Sequence, residues 1–100
     1  MPIRIRLVRE SGDPVRSVTD KDGLVDRATA ELPSARLLRY VDPYGDTYFN
    51  KLQMADLLAD WQDTHPLIET ASDEECWSGV EAIIRECQSR THLYVRFVGD

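Results

Sequence analysis

Residues 72–98 read SDEECWSGVEAIIRECQSRTHLYVRFV, and this stretch decides the fold class. Cys76, Val80, Ile83, Ile84 and Cys87 recur at helical spacing and line one face, with Trp77 at its edge. Ser72 followed by Glu75 has the form of a capping box. Asp73, Glu74 and Glu75 suit the positive end of the helix dipole. Glu81–Arg85 and Glu86–Arg90 are i, i+4 pairs in the favoured order, glutamate first. After His92 the period changes to two. Leu93, Val95 and Phe97 alternate with His92, Tyr94, Arg96 and Val98, which predicts a strand with one apolar face. A long amphipathic helix followed closely by a half-buried strand implies helices packed on one face of a sheet.

Working back along the chain, Asn50 and Gln53 form a second capping box, with Met54, Leu57, Leu58 and Trp61 as the apolar stripe behind it. His65-Pro66 ends that helix. Arg36 to Val41 reads as a strand, Asp42-Pro43-Tyr44-Gly45-Asp46 as a reverse turn, and Thr47-Tyr48-Phe49 as a short return, so a hairpin is expected. Leu24 to Leu32 has one helical apolar face and is stopped by Pro33. Ile3 to Arg9 alternates as a strand and ends in the turn chemistry of Ser11-Gly12-Asp13-Pro14. Residues 15–19 have the length of a returning strand but run at once into Asp20-Lys21-Asp22-Gly23, which leaves strand and loop both open. The expected architecture is a single α+β domain over residues 1–100: a small, mostly antiparallel sheet with two longer helices on one face.

One hundred residues suffice for one domain, and 42% hydrophobic residues for one core. No apolar run approaches the roughly 18 residues of a membrane span. The first residues alternate arginine with aliphatic side chains, unlike a signal peptide, so the expected compartment is the cytoplasm. Cys76 and Cys87 lie eleven apart, about 16 Å along a helix. A disulfide needs its Cα atoms within about 7 Å, so the two are expected to be free thiols.

The net charge of −6 is unevenly spread. Residues 1–51 hold nine Lys/Arg against eight Asp/Glu, whereas residues 52–90 hold two against nine. Nucleic-acid binders show the opposite bias, so neither nucleic acid nor membrane is the expected partner. Asp56, Asp60 and Asp63 share one side of the first long helix, and Asp73, Glu74, Glu81 and Glu86 add to the second. A dense acidic face speeds encounter with a basic partner. Tyr44, at the tip of a turn, is a further contact candidate. Arg4, Arg6, Tyr94 and Arg96 could share a sheet face, a basic and aromatic surface that single-strand RNA binders use. The acidic total favours a solvated face instead.

No catalytic, cofactor or metal motif emerges. His65 and His92 have no local carboxylate or thiol partner. Cys76, Cys87, His65 and His92 match no zinc spacing. Asp42 and Asp46 lack the alternating ligands of a calcium loop and are better read as bonding nearby backbone N–H groups.

The run from Arg39 to Asn50, with Phe97-Val98-Gly99-Asp100 at the end, resembles a set of short uncharacterised bacterial proteins that share an Asp-Pro-Tyr-Gly-Asp-Thr hairpin and a closing Phe-x-Gly-Asp strand. That resemblance covers about half the chain and brings no activity, so no functional residue is carried over. Tyr40-Val41-Asp42-Pro43-Tyr44-Gly45 also resembles one tyrosine–aspartate repeat hairpin of large bacterial toxins, a family that requires many copies.

Three functions are compatible with these features. The leading expectation is a non-enzymatic protein-binding module, in its most specific form an immunity protein or antitoxin that occludes a basic toxin domain. Its contacts would be Asp56, Asp60, Asp63, Asp73, Glu74, Glu81 and Tyr44. The second is a structural or regulatory accessory subunit pairing as a homodimer through an edge strand. The third is a small enzyme using Asp42, Asp46 and His92.

Overall fold

The two alternating segments at the ends of the chain become the middle of the sheet. β1 (Ile3–Arg9) and β4 (Leu93–Val98) pair antiparallel from Arg4 opposite Val98 to Arg9 opposite Leu93. Ile5, Leu7, Val95 and Phe97 thereby meet on one face and are fully buried. The computed structural model describes residues 2–99, so Asp100 of the closing motif lies outside the described residues. β2 (Pro14–Asp20) flanks β1 and β3 (Asp46–Asn50) flanks β4, giving the all-antiparallel order β2-β1-β4-β3. Residues 15–19, ambiguous by pattern, are thus a strand. Pairing with β1 supplies the ladder that five weakly apolar residues could not specify alone.

Three helices cover the apolar face: α1 (Leu24–Glu31), α2 (Met54–Asp63) and α3 (Ala71–Ser89). α3 contributes the expected stripe, with Cys76, Val80, Ile83, Ile84 and Cys87 all buried. It comes so close to β2 that a Cβ on Gly79 would sit 2.7 Å from Val18 Cγ2, so glycine there sets the helix–sheet spacing. Met54, Leu57 and Trp61 of α2 are fully buried, and Phe49 meets Phe97 edge to face at 5.8 Å. α2 and α3 are further joined by reciprocal indole bonds. Trp61 Nε1 donates to the Trp77 carbonyl at 3.0 Å, and Trp77 Nε1 donates to the Trp61 carbonyl at 3.1 Å and to Thr64 Oγ1 at 3.0 Å. The Asn50–Gln53 capping box is present, with the Asn50 N–H donating to Gln53 Oε1 at 2.8 Å.

Two local expectations are corrected. Residues 36–41 are not a strand, and no hairpin joins them to β3; they form a loop with a 3-10 turn at Leu38–Tyr40. The reason is Asp60. Its buried carboxylate accepts the backbone N–H groups of Arg36 at 3.2 Å, Leu37 at 2.7 Å and Leu38 at 3.1 Å. Donors that a strand would offer to a neighbour are held by α2 instead, and Leu38 is fully buried. The helix cap is Thr70 rather than Ser72. Thr70 is extended (φ −131°, ψ 165°) and its Oγ1 accepts the Asp73 N–H at 3.0 Å, so the helix begins before Ser72 is reached.

Asp60→Ala is expected to leave three backbone donors without an acceptor and to lower unfolding free energy by at least about 2 kcal/mol in urea titration. Asp63→Ala, on the exposed side of the same helix, should change it by less than about 0.5 kcal/mol.

Candidate functional site

The acidic helical surface differs from its sequence pattern. Asp56 and Asp63 are exposed on α2, but Asp60 between them is 6% exposed and faces inward to the 36–38 loop. Offsets of 0, 4 and 7 span enough of a helix for the middle residue to fall on the buried side when a loop covers it. Asp73 is likewise 1% exposed. Its Oδ2 accepts from Arg27 Nη2 at 2.6 Å and from the Glu69 N–H at 3.0 Å. Asp60 and Asp73 are therefore internal ties rather than presented charges, which corrects their placement on an outer contact face. A third tie, Asp20, is not among the contact residues expected from the sequence. It is 2% exposed and accepts the Leu24 N–H at 2.9 Å and the Val25 N–H at 2.8 Å, four and five residues ahead. The Asp20-to-helix-start spacing was the available clue.

Arginines from the first half of the chain neutralise much of the remainder. Arg36 reaches Asp56 at 3.3 Å, Arg27 reaches Glu69 at 3.1 Å, and Arg16 reaches Glu86 at 3.0 Å. Glu81 and Glu86 also hold their expected i, i+4 partners Arg85 and Arg90. Among the described residues, Asp63, Glu74 and Glu75 are the acidic groups of residues 52–90 that are exposed and lack an ion pair.

Asp56, Asp60 and Asp63 nevertheless converge on one cavity of about 360 Å³ between residues 32–36 and α2. Leu32, Ser34, Ala35 and Ala59 complete its lining, and Arg36 is its single basic side chain. This groove is the best-defined concave acidic feature that the expected contact residues build.

The 42–46 turn is held from both sides. Asp42 Oδ1 accepts the Tyr44 N–H at 2.9 Å, the Asp42 N–H donates to Thr47 Oγ1 at 3.0 Å, and the Gly45 N–H reaches the Asp42 carbonyl at 3.4 Å. Asp46 turns away to the sheet face, where it pairs with Arg96. Gly99 closes the arrangement, donating its N–H to the Gly45 carbonyl at 2.8 Å. A Cβ on Gly99 would lie 2.6 Å from the carbonyl oxygens of both Asp42 and Gly45. The two motifs that carry the sequence resemblance thus touch.

His92 lies at the other end of β4. It adopts a left-handed conformation (φ 62°), and its Nδ1 is 2.8 Å from Glu10 Oε1. Asp46 faces Val98, so about 20 Å of strand separates it from His92. Asp42, Asp46 and His92 do not converge. His65 packs edge-on against Trp77, with ring centroids 4.8 Å apart. Among the described residues, no group of three His, Cys, Asp or Glu side chains is placed to hold a metal ion.

The open face of the sheet does collect Arg4, Arg6, Tyr94 and Arg96. Arg6 is opposite Arg96, and Val8 is opposite Tyr94. Asp46 bonds Arg96, whose guanidinium also sits 5.5 Å from the centre of the Tyr48 ring. The basic character of this face is therefore partly cancelled locally. Tyr44 is 81% exposed at its turn tip. Among the described residues, it makes up the large, exposed hydrophobic side chains with Tyr40, Tyr48 and Leu52, all within residues 40–52. Tyr44 therefore belongs with the β3 margin rather than with the acidic groove.

Cys76 and Cys87 are buried free thiols. Burial, reinforced by the charges of Asp20 and Asp73, pushes the Cys76 thiol up to about 12. Comparison with known protein families, characterised proteins and solved structures found no match for this chain.

Gly99→Ala is expected to force the closing strand off the 42–45 turn and to cost about 1–3 kcal/mol, measured by urea unfolding. The raised Cys76 pKa has a definite sign. In the unfolded chain the thiol ionises from about 9, while in the fold it stays protonated to about 12. Stability should therefore fall as pH rises through that window. Equilibrium unfolding between pH 8.5 and 10.5 should show a shallower decline in Cys76→Ala than in the wild type.

Proposed function

We propose that this chain is a non-enzymatic protein-binding module that receives a basic segment of a partner in the groove between residues 32–36 and α2. The observation that carries the reading is the convergence of Asp56, Asp60 and Asp63 on that groove, with Arg36 as the one base in its lining. Asp63 has no ion partner among the described residues. Asp56 is held only by the exposed Arg36 contact. Such surface pairs contribute roughly 0–1 kcal/mol, so an incoming lysine or arginine displaces Arg36 at small cost. Asp60 keeps its backbone bonds and adds its charge to the floor of the groove.

The most specific form of this reading is an immunity protein or antitoxin that covers a basic toxin domain, such as a nuclease, by stoichiometric occlusion. A second reading, an accessory subunit that assembles as a homodimer, draws on the outer edge of β3, where the exposed tyrosines gather.

Co-expression with the basic product of an adjacent reading frame tests the first reading. The wild type should bind it, relieve its toxicity and lose affinity as salt is raised. Asp56→Lys/Asp63→Lys should bind at least ten-fold more weakly. A wild-type protein that neither binds nor neutralises that product ends the immunity reading.

A further inference from the structure

The two edges of the sheet are built differently. The β2 edge contains Pro14, which has no N–H to offer, lies beside a register shift between Leu7 and Val8, and holds Arg16 in an ion pair with Glu86. These features discourage pairing with another strand. The β3 edge has no such protection. Among the described residues no strand pairs with its outer side, and its segment, Asp46–Asn50, contains no proline and no bulge. Among the described residues, the large exposed hydrophobic side chains occupy this strand or flank it in sequence: Tyr44 at 81%, Tyr48 at 53% and Leu52 at 91% exposed, with Tyr40 at 61% nearby in the chain.

Their spacing is symmetric. Tyr44 and Leu52 stand four residues to either side of Tyr48, and Asp46 and Asn50 stand two to either side. The charges are polarised along the same segment, with Asp42 and Asp46 at its start and Lys51 at its end. An antiparallel pairing of two copies about Tyr48 brings unlike groups together. Within the strand Tyr48 meets Tyr48 and Asp46 meets Asn50, while Tyr44 in the preceding turn and Leu52 in the following 3-10 turn lie beyond the two ends of the ladder. A parallel pairing would set Asp46 against Asp46, which is unfavourable across strands.

We infer that the outer edge of β3 is a self-complementary interface. It pairs antiparallel with the same edge of a second copy of this chain about a two-fold axis through Tyr48. This rests on the homodimer reading above and gives it a surface and a register. With the axis normal to the sheet, residues of one parity stay on one face. The dimer is then a continuous eight-stranded sheet with both helical layers on the same side.

Sedimentation velocity from about 5 to 500 µM should show a monomer–dimer equilibrium. Tyr48→Lys places two ammonium groups across the axis and should raise the dissociation constant at least ten-fold. Tyr48 is half-exposed, so circular dichroism should show the monomer fold unchanged. Tyr48→Cys should form an interchain disulfide under mild oxidation, because residues facing each other across paired strands lie about 4.5–5.5 Å apart at Cα. Ser17→Cys, on β2, should not, and the native thiols are buried and do not compete. A wild type that stays monomeric throughout overturns both this interface and the homodimer reading. A dimer unaffected by Tyr48→Lys, or cross-linked through Ser17→Cys rather than Tyr48→Cys, overturns this interface and leaves the homodimer reading standing.

Discussion

A carboxylate buried against backbone N–H groups is the interaction on which the rest of this structure depends. Among the described residues it occurs three times. Asp20 receives the first N–H groups of α1, Asp60 receives three from the 36–38 loop, and Asp73 receives one from Glu69 together with the Arg27 guanidinium. A buried carboxylate is costly unless its oxygens are satisfied, and an unpaired buried N–H is costly too. Asp20 and Asp60 resolve both demands where two elements meet; Asp73 does so through Oδ2 alone, its buried Oδ1 having no hydrogen-bond partner among the described residues. Asp20 joins β2 to α1, Asp60 joins the long loop to α2, and Asp73 joins α1 and the 65–69 segment to α3.

These ties reshape the charge distribution at the surface. Asp60 and Asp73 leave the surface, and Arg16, Arg27 and Arg36 cross from the first half of the chain to neutralise helix carboxylates. The acidic excess of residues 52–90 is therefore largely satisfied within the molecule. What remains is local: the Asp56–Asp63 groove, and Glu74 and Glu75 early in α3. A concave, charged groove selects a partner side chain by shape as well as by sign, which a diffuse acidic face does not.

The β3 margin of the molecule rests on different physics. The 42–45 turn, Gly99 and β3 form one unit, locked by the close approach of Gly99 to two carbonyl oxygens. That unit holds the free β3 edge and its tyrosines in a fixed position beside β4. Groove and edge are distinct surfaces with distinct chemistry, one lined by carboxylates and one offering a free strand edge and aromatic area.

The sequence by itself determined what depends on local period and local capping. β1 and β4 follow from alternation, α2 and α3 from apolar stripes three and four apart, and the Asn50–Gln53 box from a three-residue spacing. The α+β class follows from their order. All of these are set by neighbours within one or two turns of chain. Only the tertiary structure decided that residues 36–41 bend rather than extend. Their hydrogen-bond partner is a carboxylate about twenty residues away in sequence, beside the apolar stripe of α2, where no local pattern says whether a loop covers it. The same holds for β3, whose partner is β4 rather than the preceding segment, and for Asp73, whose arginine lies 46 positions earlier. In the candidate site, the residue types and the α2 spacing were legible. Which carboxylates point outward was not, because that depends on which loop covers the helix.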